Sequence, residues 1–281
     1  MKNEANSFFK ETDIEILIST MNRDSLEFLI PMFPYSHFSD FSILIVNQTQ
    51  SERILTSAYS NVRVVNSFEK GLSKSRNLAL ENALGKILVI ADDDVVYQNG
   101  FLTKIIGAYN KFPEAAAIHF SAVNLNGDLI KKYPSDTKAD LSIFDILNTS
   151  SIEVTLNKEV IVASQIQFDQ NFGLGAVFEM GEEAIFLSDL KAKQKQLVFE
   201  PQIIVKHESQ TSSVRKNEEE KYYIQGALFT RMFKKKYVFW LYLKLFFDLK
   251  QKKIKLENIR TVLKSAKSGH NKFEQIQNGN T

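Results

Sequence analysis

The chain contains no cysteine. Disulfides, thiolate metal sites and a cysteine nucleophile are therefore excluded, and the composition suits a reducing compartment, which leads to the expectation of a cytoplasmic protein. Long apolar runs are also missing. The first twenty residues, "MKNEANSFFKETDIEILIST", hold no apolar stretch of signal-peptide length. Nowhere do apolar residues run uninterrupted for the roughly 18 positions a spanning helix needs. Internal repeats and low-complexity segments are absent too. What remains is the make-up of an ordinary globular protein: 281 residues, 44% apolar and 24% charged, long enough for one large domain or two modest ones.

The net charge is only +2, but it is split along the chain. From Lys221 onward there are fourteen Lys and Arg against three Asp and Glu, a balance of +11, so the first 220 residues carry −9. An acidic body with a basic appendage is the expected arrangement, and basic appendages meet polyanions or anionic membranes.

The first half alternates two periodicities. Residues 15–20, 41–49, 62–67 and 86–91 are β-branched or continuously apolar runs, as in strands buried on both faces. Between them, residues 24–33, 52–59 and 73–84 read as helices, the last with Ser73 as N-cap and Gly85 just past its end. Alternation of this kind predicts βαβ units and a mostly parallel sheet, with ligands outside the carboxyl ends of the strands. Thr20, Asn22 and Arg23, Asn47, and the aspartates of "IADDDVVY" all lie at such ends. Further on, residues 115–133 read as two strands around the turn Asn126–Gly127–Asp128. Residues 134–150 read as loop and 153–164 as strand. A glycine-bearing loop, an acidic pair opening a helix, and a strand ending in His207 follow.

Asp92 and Asp94, one residue apart on a tight turn, can share a hard divalent cation such as Mg²⁺ or Mn²⁺. The competing reading of an isolated DxD is an Asx turn ending a strand. Its setting in "GLSKSRNLALENALGKILVIADDDVVYQNGF", followed by "FDQNFGLG", "MGEEAIFLSDLKAKQKQ" and "EPQIIVKHE" in that order, resembles family-2 glycosyltransferases with a GT-A fold over roughly residues 13–210. The resemblance implies a GT-A domain over 1–210, a Rossmann-like α/β sheet with flanking helices; the charge balance and helical spacing beyond it lead to the expectation of a helical basic C-terminal arm over 211–281.

The resemblance also assigns roles. Asp92 contacts the ribose or base side of a nucleotide-sugar donor and shares an Mn²⁺ or Mg²⁺ ion with Asp94 and His207; Asp93 stands between them without a defined part. Thr20, Asn22, Arg23 and Asn47 hold the nucleotide, although Asn47 brings no charge where the family usually pairs an acidic residue with uracil. Arg76 and Asn77 abut the nucleotide from their helix, and Gly173 and Gly175 let backbone approach the donor sugar. Glu183 is the general base and Glu182 binds sugar or acceptor hydroxyls; the alternative for this pair is complementarity to the helix dipole. His37, His119 and His270 have no comparable context.

The implied activity is inverting, metal-dependent transfer from a nucleotide sugar, most simply a UDP-sugar, to a saccharide or lipid-linked acceptor. The alternative is an inactive GT-A domain that serves as a binding subunit. Nucleotidyl transfer is disfavoured because no glycine-rich phosphate loop follows the first strand. In the arm, "RMFKKKYVFWLYLKLFFDLKQKKIKL" places Lys244, Asp248, Gln251 and Lys255 on a narrow polar stripe, away from Phe239, Trp240, Phe246 and Phe247. Two readings stand: a docking helix, or a helix in the surface of an anionic membrane on its inner face. Nucleic acid is not an expected partner, because no recognition motif accompanies the lysines.

Overall fold

Strands form where Ile, Leu and Val fill almost every position, because a strand covered on both faces has no solvent side to keep polar. The computed structural model describes residues 8–207 and 216–279. In chain order its strands are β1 (Ile14–Met21), β2 (Ile43–Gln48), β3 (Val62–Ser67), β4 (Ile87–Asp92), β5 (Val96–Tyr97), β6 (Ala117–Val123), β7 (Val154–Asn157) and β8 (Leu197–Lys206). They form one sheet in the order β3-β2-β1-β4-β7-β6-β8-β5. The first four in that order are mutually parallel. β7 runs antiparallel to β4 and β6, and β5 antiparallel to β8. This is the mostly parallel α/β sheet of a GT-A fold. Register sets Ser19 beside Asp92 and Thr20 beside Asn47, so the carboxyl ends of β1, β2 and β4 form one row.

The helices are α1 (Leu29–Met32), α2 (Leu72–Asn82), α3 (Phe101–Lys111), α4 (Ile143–Leu147), α5 (Lys158–Ser164), α6 (Glu182–Ala192), α7 (Glu218–Phe233), α8 (Tyr237–Lys250) and α9 (Ile259–Gln277). Several sequence expectations give way here. The helix over 24–33 shrinks to the single turn α1, which holds Pro31, a residue without an N–H to extend the ladder. Residues 52–59 form no helix. The Asn66 side chain binds both the N–H and the C=O of Leu55, and the Thr49 hydroxyl donates to the Arg53 carbonyl, so side chains take the groups a helix would use. The strand over 153–164 stops at Asn157, whose side chain accepts from the Val160 N–H and turns the chain into α5. Residues 134–150 include α4, capped by Ser142. After the turn at 126–128 the second strand is reduced to one bridge between Val123 and Leu129.

The core has three parts. Two lie on the two faces of the sheet. The third joins Phe172, Phe178 and Ile185 of the body to Tyr222, Phe229, Val262 and Phe273 of the C-terminal helices. The expected domain boundary, between residues 210 and 211, lies outside the described residues, yet the helices after it share a core with the residues before it. Arg231 of α7 adds a bond to Asp169 (2.9 Å) and a paired bond to Asp189 (3.1 and 2.6 Å). The polar stripe of the arm also turns out differently. Asp248 is buried, accepting from the Tyr222 hydroxyl at 2.9 Å and from Lys244, while Gln251 and Lys255 lie beyond the end of α8.

Candidate active site

At the end of β1 the chain turns through Asn22, whose φ of 55° lies in the left-handed region that Asn tolerates. This turn carries Arg23 back over the strand ends. Its guanidinium donates to Asp93 from Nε (3.0 Å) and Nη2 (2.7 Å), lies 4.9 Å from the Phe28 ring, and the Thr20 hydroxyl binds the same Asp93 oxygen. Asp93 therefore has a part that the sequence did not define: it fixes Arg23 and Thr20 at the mouth of the sheet. Asn47 sits behind them, fully buried. Its Oδ1 accepts from the Arg23 N–H at 3.0 Å, and its Nδ2 donates to the Arg23 carbonyl and to Asn66. The amide is thus engaged on both sides and clamps the turn rather than facing the opening.

Arg76 connects the two ends of the site. It projects from α2, which starts at Gly71 rather than at a Ser73 cap: Gly71 has φ 127°, and the Ser73 hydroxyl donates instead to the Phe172 carbonyl at 2.6 Å. Arg76 is buried; Nη1 donates to Glu182 (3.0 Å) and Glu183 (2.9 Å), and Nη2 to Asp92 (3.2 Å). Burial works against its charge, but the three carboxylates outweigh burial and raise its hold on the proton. The two glutamates open α6, where the helix dipole favours them. They differ in access: the Glu182 side chain is 6% exposed and that of Glu183 17%. Glu182 is pushed up to about 8, by burial first and then by Glu183 beside it.

Asp92 was expected at a metal, but it turns to Arg76 with one oxygen and accepts from the Ser151 hydroxyl at 3.0 Å with the other. Ser151 went unseen in the sequence, because a serine in a polar loop carries no signal there. Asp94 points the other way and is 65% exposed; its carboxylate lies 3.2 Å from His207 Nε2, which holds its proton affinity below the usual carboxylate range. Among the described residues no group of three His, Asp or Glu is arranged to hold a metal ion. An exposed carboxylate and an imidazole side by side nonetheless fit as two protein groups that could hold a hard cation.

The glycine loop lies against the acidic pair. Gly173 has φ 98°, and a Cβ there would stand 3.1 Å from both Glu182 Cδ and Ser73 Oγ. Gly175, φ 79°, rests on Gly71, and the Leu174 carbonyl accepts from the Leu72 N–H at 2.9 Å. Asn77 does not reach this space; its amide is doubly bound to the backbone of Phe168. The structure thus joins Thr20, Arg23 and Asp93 at one end, Arg76, Asp92, Glu182 and Glu183 in the middle, and Asp94 with His207 at the rim. Asn47 and Asn77 stand behind as supports.

Residues 15–163 match the family described as Glycosyl transferase family 2. The chain belongs to that family. Several solved structures share the fold of this family-2 chain. With Staphylococcus aureus TarS 1–349 in complex with UDP-GlcNAc the TM-score is 0.53 at 16% identity, covering 78% of this chain and 66% of that one. With TarS 1–349 in complex with UDP it is 0.51 at 15%, covering 78% and 64%. The longer TarS structure gives 0.52 at 14% identity. The family-2 chain spans 64% of TarS 1–349 without a named ligand and 39% of the longer TarS structure. No curated protein sequence matches it.

Proposed function

We propose that this family-2 chain transfers a sugar from a nucleotide-sugar donor, most simply a UDP-sugar, to a hydroxyl of a saccharide acceptor, free or lipid-linked, with inversion at the anomeric carbon. The observation that carries this reading is the Arg76 junction, which brings Asp92 of the strand end and Glu182 and Glu183 of α6 to one guanidinium. A donor-binding end and a proton-accepting end then share one cleft. Glu183, the more open of the two glutamates, takes the proton from the acceptor hydroxyl. That oxygen attacks the anomeric carbon from the face opposite the diphosphate, the bond to the diphosphate oxygen breaks, and the nucleoside diphosphate leaves. Glu182 and the backbone at Gly173 border the sugar. Arg23 and Thr20, pinned by Asp93, receive the nucleotide.

Asp94 and His207 are the residues that would hold Mn²⁺ or Mg²⁺. Held there, it would supply charge neutralisation for the departing diphosphate. With a lipid-linked acceptor the enzyme works at the surface of an anionic membrane, to which the lysines of the C-terminal helices are electrostatically suited; among the described residues no helix is long and apolar enough to cross one.

The test is turnover and binding of the full chain with UDP-, GDP-, CMP- and dTDP-sugars, with Mn²⁺ and with chelator. Metal-dependent binding of one donor class and release of its nucleotide are expected. If no donor binds or turns over with either metal, the reading falls. Donor binding without any release, across a panel of saccharide acceptors, would favour the inactive binding subunit.

A further inference from the structure

Helix α8, "YVFWLYLKLFFDLK", has its polarity inverted for a helix on the outside of a protein. Leu241, Leu245 and the neutralised Asp248 face inward. Outward, at three- and four-residue spacing, stand Val238, Phe239, Tyr242, Phe246 and Phe247, with Phe239 64% and Phe246 59% exposed. Residues three and four apart share a helix face, so these side chains form one continuous apolar strip about 14 Å long. Exposed contiguous apolar surface of this kind marks a contact site rather than chance.

Charge identifies the occupant. Lys234, Lys235 and Lys236 are exposed at one end of the strip, and Lys250, Lys252 and Lys253 at the other. The only acidic residue of α8, Asp248, is buried beneath it and bonded to Lys244 and Tyr222. Just past the end, Lys255 lies 3.7 Å from Glu257. An apolar strip bounded by cations at both ends is complementary to a surface that is apolar below and anionic above. A second copy is a poor occupant, because a two-fold contact across the strip sets the lysine groups of both copies side by side.

We infer that the outward face of α8 lies in the interface of an anionic bilayer, with Phe239, Tyr242, Phe246 and Phe247 among the acyl chains and the terminal lysines on headgroup phosphates. This rests on the peripheral placement proposed above and assigns it to one surface. α8 packs on α7, and α7 on α6, so the helix bearing Glu182 and Glu183 is two helices from the lipid.

The molecule carries its own probe, since its single tryptophan, Trp240, is on α8, stacked on Phe233 at 4.3 Å. The full chain is titrated with vesicles of phosphatidylcholine alone, with phosphatidylglycerol added, and with brominated acyl chains. Binding to the anionic vesicles, quenching of Trp240 by the brominated ones and loss of binding with salt are expected. The variant Phe239→Ser/Phe246→Ser should bind about tenfold more weakly or worse, with an unchanged melting temperature. Lys234→Gln/Lys235→Gln/Lys236→Gln should weaken binding similarly and flatten its salt dependence. If the phenylalanine variant binds like the wild type, peripheral attachment stands but α8 is not its surface, and the inference is overturned. If the wild type ignores anionic vesicles, both fall. A wild-type dimer that the same variant converts to monomer, without lipid binding, would assign the face to a second copy.

Discussion

At the scale of single residues, the site depends on carboxylates that would repel one another without Arg76. One guanidinium serves three of them, and removing it would leave buried charge without a partner. The two glutamates it holds are adjacent but not equivalent. Glu183→Gln should keep donor affinity, measured by calorimetry, and lower transfer by about 10² to 10⁴, the usual effect of losing a general base. Near-normal turnover in that variant, with Glu182→Gln inactive, would place the base one residue earlier. Glu182 also leaves a signature in stability. Its proton is held up to about pH 8 in the folded chain, against 4.5 for an unperturbed glutamate. A raised carboxyl stabilises the fold fully below the unfolded value, and that stabilisation is lost as pH rises toward the folded one. The melting temperature should therefore decline between about pH 5 and 8, and Glu182→Gln should flatten the decline. A variant that melts with the wild-type slope would show that this glutamate stays ionised.

At the scale of elements, α7 and α9 cross backbone against backbone at two glycines. A Cβ on Gly226 would fall 1.9 Å from the Ala266 carbonyl oxygen, and one on Gly269 would fall 1.8 Å from that of Tyr223. Both obstacles are backbone, so the helices must separate. Gly226→Ala and Gly269→Ala should each destabilise the protein by about 1–3 kcal/mol or more in urea unfolding, although alanine is the better helix former. A neutral or stabilising result would mean that the helices cross farther apart than described. The same contrast explains what could be read from sequence. The strands at 15–20, 41–49, 62–67 and 86–91 announced themselves, because burial on both faces demands continuous apolar side chains. So did the strand ends with their aspartates and the acidic pair of α6. The segment 52–59 did not, because what decides it is Asn66, eleven residues past Leu55, and no local periodicity carries that bond. Asn47 and Asn77 likewise look like ligand-binding amides until their backbone partners are seen. The inward turn of Asp248 depends on Tyr222 in another helix.

At the scale of the whole molecule, charge divides the chain but packing does not. The acidic body and the basic helices meet in a core that includes Phe172, Phe178 and Ile185 from one and Tyr222, Phe229 and Phe273 from the other. Folding should therefore be one event. Thermal unfolding followed by Trp240 fluorescence, which reports α8, should coincide with unfolding followed by far-ultraviolet circular dichroism, which reports the whole chain. An earlier fluorescence transition would show the arm melting by itself.

The ring of Phe273 has a further consequence, for the chain as it is made. It lies 5.7 Å from Phe172 and 6.2 Å from Phe178, the two residues that bracket the glycine loop beside Glu182. A ribosome builds the strands and the acidic helix first and delivers residue 273 about a hundred residues after that loop, several seconds later at the usual 5–20 residues per second. During that interval the sheet can form, but the loop lacks Phe273, a buried side chain of its own core. The cleft described above is therefore finished only after residue 273 has cleared the ribosomal exit tunnel, well after its strands and acidic helix have been made.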